Sequence, residues 1–439
     1  MLIGVGPSVP RKILHLRKRI YEMASRYRGM REGVEMASRT TALNTPLAAA
    51  HLAAGAKMGV WFGCVLPDDF DDAAAEFHYA RETVALIDKN CRAHLCFTGP
   101  DRVRYLNAVL TNNIKDLPAG RGTVSLLLNP QGHILAEIET YSFVDRLVCV
   151  SYAMIRERLV EWLDKYIIMD DVTLTDETAR YGTLALEGPQ AAAMVRDLAG
   201  VDLAQLSELA SVDAALPRRF FSSVIPLPPG VILSEGKDLN FSQAGVPARN
   251  DLDDTVRTTP AGDAIPCRIV KRSLGGVPGA EFVTEAGELP ELWQILSNEA
   301  RTHGGGPTGY TALSAIRLTQ GVPWFGYDFG EKQLPHEAGL QDSHISYTKG
   351  CYTGQEIVER VRSRGQVNRQ RVRLTFSGEV VPETGAPLTL DGTEVGYVTR
   401  AAKTWDPPHI LGMGYVRKEA NASGSVLQWA GGTATVLNT

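Results

Sequence analysis

A cysteine set between glycines is the first group in this chain that could do chemistry. It lies in Lys349-Gly-Cys-Tyr-Thr-Gly-Gln-Glu356. Gly350 and Gly354 bracket three residues, which reads as a tight turn, because glycine reaches backbone conformations closed to other residues. Gln355 to Val361 follows with apolar residues near helical spacing, so Cys351 is expected on a loop just ahead of a helix start. Backbone N–H groups at such a start favour a thiolate, and Lys349, two residues away, is expected to push in the same direction. Two readings stay open at this point: a reactive thiolate, or a structural cysteine packed as a small hydrophobe.

The elements that must position this thiol can be read outward from it. Leu47 to Ala56 reads as a helix, Met58 to Leu66 as a strand-like run, and Ala73 to Val84 as a second helix. A strand at His94 runs into Gly99-Pro100 and a helix from Arg102 to Leu110. The same plan recurs at Tyr181 to Leu186, Gly188-Pro189 and a helix from Gln190 to Leu198, which suggests paired sub-domains of similar build. Thr123 to Asn129 and His133 to Phe143 alternate as strands do and are joined by Pro130-Gln131-Gly132, a hairpin turn. No Gly-rich phosphate loop accompanies this alternation, so an α+β sheet fits better than a dinucleotide-binding unit. The stretch from about 203 to 266 reads as loop or insertion. Short β runs after Gly365, with Gly and Pro between them, read as a small C-terminal β-barrel. The expected division is a basic extension over 1–41, an α+β region over 42–365 and the barrel over 366–439.

Net charge −5 and 22% charged residues describe a globular chain with no bulk affinity for nucleic acid. No apolar run is long enough to span a membrane. Six cysteines without a C-x-x-C pair argue against a disulfide framework and against a zinc site of paired cysteines, and a reducing cytoplasm fits them. Residues 1–39 carry nine Lys and Arg residues, including Arg17, Lys18 and Arg19. Three readings of them stay open: a basic amphipathic helix, a disordered arm, or a natural start at Met36.

The Lys349–Glu356 motif, with Arg360 and Arg364-Gly365 behind it, resembles that of the YgfZ-type folate-binding proteins, factors for assembly or repair of iron–sulfur clusters. Those proteins are relatives of the glycine-cleavage T-protein, an aminomethyltransferase. From about Thr45 to the end the chain is similar to that superfamily, in Thr45-Pro-Leu, Gly55-Ala-Lys57, Pro323 to Asp328 and Leu334 to Leu340. The resemblance implies a T-protein-like α+β multidomain fold with a small C-terminal β-barrel. It implies tetrahydrofolate, or a folate derivative, as cofactor. It implies a site drawn from Glu281, Arg317, Asn129, Tyr327 and Glu337, with Cys351 and Lys349 as the acting pair. Its partners are then iron–sulfur client proteins or assembly factors.

A glutamate near position 281 holds the pterin in that superfamily; carboxylate oxygens can accept from a pterin's adjacent N–H and amino donors. A solvated hairpin glutamate is the other reading of Glu281. The transferase's paired aspartates correspond here to Ala136-Glu137. Alanine can neither hold an amine for attack nor stabilise developing positive charge. Strand alternation sends Glu137 to the opposite face from residue 136. A folate-binding assembly factor is therefore the reading favoured, with an aminomethyltransferase using Glu137 as the alternative.

Overall fold

The structure, a computed structural model, describes residues 42–218, 264–365 and 367–437. The readings of residues 1–41, and of 219–263 within the expected insertion, lie outside the described residues.

Two antiparallel-rich sheets and a closed barrel carry the site. The first sheet orders the strands Gly122–Leu128, Ile134–Ser142, Leu147–Tyr152, Arg92–Thr98 and Thr173–Asp176. The second has six strands, ordered Ser211–Pro217, Ala264–Val270, Gly279–Glu285, Tyr181–Glu187, Ala85–Asp88 and Gly306–Pro307. Each sheet sends a strand through a glycine into a helix. Gly99 precedes the Arg102–Val109 helix and Gly188 the Ala191–Ala199 helix. Both glycines have positive φ, and a Cβ would fall 2.2 Å from the Asp171 carbonyl oxygen at Gly99 and 2.5 Å from that of Thr83 at Gly188. Only glycine fits both turns.

Two expectations are corrected. The run from Met58 to Leu66 is a hairpin, Lys57–Trp61 paired with Cys64–Asp69. Phe62 and Gly63 make its turn with φ of 49° and 82°. Positive φ at both central residues is the turn whose twist matches paired strands, and phenylalanine is an unusual occupant. It is held because its ring is buried, stacked 4.6 Å from Tyr152. Within the expected insertion, Ser211–Pro217 is the edge strand of the six-stranded sheet, paired with Ala264–Val270.

The strand Ile134–Ser142 shows why two faces matter. Ile134, Ala136 and Ile138 enter the apolar core with Leu106 and Val109 of the Arg102–Val109 helix. Glu137, Glu139 and Tyr141 alternate to the other face. The C-terminal strands close into a six-stranded barrel, ordered Arg369–Phe376, Ile410–Arg417, Thr393–Lys403, Pro387–Leu390, Val426–Trp429 and Gly432–Val436. Closure leaves no unpaired sheet edge.

Candidate functional site

Cys351 is exposed, and the other five cysteines are buried. Burial pushes those thiols up: Cys91 to about 11, Cys149 and Cys267 to about 12, and Cys64 and Cys96 in the same direction. The helix after Cys351 runs Gln355–Arg364 and starts at Gly354, whose φ is 81°. A Cβ on Gly354 would lie 2.7 Å from the Asn129 carbonyl oxygen, and its position is 3.3 Å from Gly132 Cα. A Cβ on Gly132 would fall 2.9 Å from Ile357 Cβ. The helix start therefore abuts the tip of the 129–132 turn at a distance that excludes side chains.

Lys349 is placed differently from its sequence reading. Its ammonium donates to the carbonyls of Asn107, Leu110 and Asn112, the last at 3.1 Å. These close the C-terminal end of the Arg102–Val109 helix, where carbonyls lack intrahelical partners and favour a cation. Its N–H donors are thus engaged at the helix end. Burial lowers its pKa to about 8. Nearby, Ser346 N–H donates to the Thr111 carbonyl and Thr111 Oγ1 to that of His344. The segment ahead of Cys351 is thus clamped to one helix terminus.

Glu137 is engaged as well. His344 Nε2 lies 3.0 Å from Glu137 Oε1, Tyr152 OH donates to Oε2 at 3.3 Å, and Ser343 Oγ is 2.7 Å from His344 Nδ1. Ala136, on the opposite face, is fully buried in the apolar core.

Glu281 belongs to a buried charge network. It stands on the Gly279–Glu285 strand opposite Ala185 and is 3% exposed, so it is no solvated hairpin residue. Its Oε1 accepts from Lys89 at 2.9 Å and Arg92 at 3.3 Å. Arg92 also holds Glu139 at 2.8 Å, Arg272 donates to Glu139 at 2.8 Å, and Lys89 pairs with Glu187 at 2.8 Å. Three cations and three carboxylates balance, as buried charges require. The Arg272 and Arg92 guanidinium groups hold the Glu139 carboxyl well below the usual range, against the opposing effect of burial. Glu187 further accepts from the backbone N–H groups of Leu274 and Gly275.

The expected site residues fall into separate groups. Glu281 joins the strand residue Glu139 through Arg92. Tyr327 OH accepts from Phe62 N–H at 3.1 Å, within rings that include Trp61, Tyr310 and Trp324. Arg317 is wholly buried, bonded to Asp328 and stacked 4.6 Å from Trp324. Asn129 stays in the turn, accepting from Gln131 and His133 N–H. Glu337 accepts from Leu334 N–H and pairs with Arg369 at 3.0 Å. Sequence reasoning missed Lys89, Arg92, Glu139, Glu187 and Arg272. The one local signal was Glu137 and Glu139 two apart in an apolar strand, which puts two carboxylates on one face.

A pterin fits part of this arrangement. Glu281 Oε2 has no hydrogen-bond partner among the described residues and can accept a pterin N–H, whereas the rings about Trp61 are buried and packed on one another. Asn129 and Glu337 are committed to the fold, whereas Arg317, ion-paired to Asp328 through Nη1, keeps Nε and Nη2 buried without hydrogen-bond partners.

The fold is T-protein-like. Residues 47–214 match the family described as the GCVT N-terminal domain. The chain is 24% identical over 390 residues to an aminomethyltransferase of Rubrobacter xylanophilus, covering 89% of this chain and 91% of that protein. It is 26% identical over 357 residues to one of Moorella thermoacetica, covering 81% and 84%. The crystal structure of glycine cleavage system aminomethyltransferase T from Bartonella henselae superposes with a TM-score of 0.72 at 20% identity, covering 91% of this chain and 97% of that one. These likenesses support the T-protein superfamily.

Proposed function

We propose that this chain binds tetrahydrofolate and supports the assembly or repair of iron–sulfur proteins, with the Cys351 thiol as its acting group. The observation that carries the reading is the placement of Cys351. It is the one exposed cysteine among six, on a loop clamped by Lys349 and followed by a helix start that only glycine allows. A reactive thiol needs such access, and a packing cysteine does not. Glu281 Oε2 is the acceptor for the pterin, and bound folate supplies the reduced pterin chemistry of the superfamily. Cys351 acts toward a cluster, sulfur or redox partner delivered by a client protein.

The relatives' names favour a second reading, folate-dependent aminomethyl transfer. Ala136 supplies no carboxylate on its face, and Glu137 is occupied by His344 and Tyr152, so the first reading is preferred. The test is complementation of cells that lack this protein, scored by the activity of their iron–sulfur enzymes. The wild-type chain restores them and Cys351→Ala does not, while Cys351→Ala still binds tetrahydrofolate. Full restoration by Cys351→Ala contradicts the role of the thiol.

A further inference from the structure

A cavity of about 190 Å³ opens between the Arg92–Thr98 and Tyr181–Glu187 strands, beside the start of the Arg156–Asp164 helix. Two arginines line it, Arg92 and Arg156, together with His94, Asn90, Thr183 and Tyr181. No carboxylate among the described residues does. Leu43, Pro46 and three alanines make the rest of its wall apolar.

The arginines are not used up by their partners. The Arg92 side chain is only 3% exposed. Its Nη2 serves Glu139 and Glu281, but its Nε is buried with no hydrogen-bond partner. Buried N–H groups are seldom left so. Arg156 gives its Nε to Asp176 at 2.5 Å, and its side chain stays 31% exposed at the rim. Burial, and then the nearby Arg92 charge, lower His94 to about 4, so it is neutral near pH 7 and adds no charge of its own.

We infer that this cavity binds the carboxylate of a small organic acid, with Arg92 and Arg156 facing the carboxylate and the apolar wall taking a short stem. A guanidinium fork matches a carboxylate in shape and charge. At about 30 Å³ per water in the liquid, the volume suits roughly six waters, the size of an amino-acid-like molecule. The carboxylate has two possible sources, a free small acid or the glutamyl end of a folate. Arg92 also donates to Glu281, so this site and the proposed pterin acceptor share one cation.

The experiment is calorimetric titration of the full chain at pH 7 with two probes, sodium butyrate and p-aminobenzoylglutamate. At least one is expected to bind saturably, and Arg156→Gln to weaken it about tenfold or more, a loss of about 1.4 kcal/mol. Ala179→Leu, which adds bulk at the mouth, tests the same cavity without touching a charge and is expected to weaken binding too. Binding of butyrate supports a free acid as the source; binding of p-aminobenzoylglutamate alone supports the folate end. Absence of saturable heat with both probes overturns the inference, as does unchanged affinity in both variants. A chain that binds butyrate but not tetrahydrofolate keeps this site and loses the proposed function, so the two failures are distinguishable.

Discussion

The ammonium of Lys349 donates to the Asn112 carbonyl at 3.1 Å and reaches those of Asn107 and Leu110 as well. A lysine two residues from Cys351 is thus a helix cap from another part of the chain. Helix-terminal carbonyls have no intrahelical donors, and a half-buried cation satisfies several at once. Lys349→Met is expected to destabilise the fold by about 1–3 kcal/mol, the range for hydrogen bonds to a charged group. Urea denaturation checks this; an unchanged midpoint shows that the cap contributes nothing.

The two glycines of the motif are not equivalent. Gly354 has φ of 81° and would place a Cβ 2.7 Å from a backbone oxygen, whereas a Cβ on Gly350 meets nothing within 4 Å. Gly354→Ala should cost roughly 1–3 kcal/mol through left-handed strain and overpacking. Gly350→Ala should stay within about 0.5 kcal/mol of wild type, as surface changes do. Thermal melts of the two variants give the comparison, and equal losses would show that the close approach to the 129–132 turn is unimportant.

The thiols should separate cleanly. Burial raises the pKa of five of them, and Cys351 alone is exposed. Alkylation of the native chain at pH 7 followed by peptide mapping is expected to label Cys351 first and the others only on unfolding. Faster labelling of any buried cysteine contradicts the structure at that point.

One buried carboxylate predicts a pH dependence. Burial raises Glu76 to about 7, although it accepts from the N–H groups of Phe70 and Gly309. The folded state then holds a proton that the unfolded chain has released, so the contribution of Glu76 is fully present below about 4.3 and is lost as pH rises towards 7. Wild type should lose about 1–3 kcal/mol relative to Glu76→Gln between pH 4.5 and 7. Parallel stability curves for the two proteins would remove Glu76 as the cause.

Much of the architecture could be read from local signals. Glycine pairs marked the Cys351 turn and the helix at Gln355, and Gly-Pro pairs marked both strand-to-helix turns. The hairpin at Phe62-Gly63 was hidden because its turn lacks the usual Asn or Asp, and tertiary stacking on Tyr152 holds the phenylalanine there. The Ser211–Pro217 strand was hidden because an edge strand beside a polar stretch carries little apolar pattern. The charge network about Glu281 joins residues 89, 92, 139, 187 and 272, and spacing along one sequence does not show which distant charges will meet. The acceptors of Lys349 were hidden for the same reason, since they lie 237 or more residues away.

Folate binding is the property on which the proposed function stands. Titration of tetrahydrofolate into the purified full chain, followed by calorimetry, measures it. Saturable binding is expected, and Glu281→Gln should weaken it by about 1–3 kcal/mol, because a neutral amide is a poorer acceptor for the pterin N–H. Cys351→Ala is expected to leave the affinity nearly unchanged. No saturable binding to the folded wild-type chain would contradict the central claim.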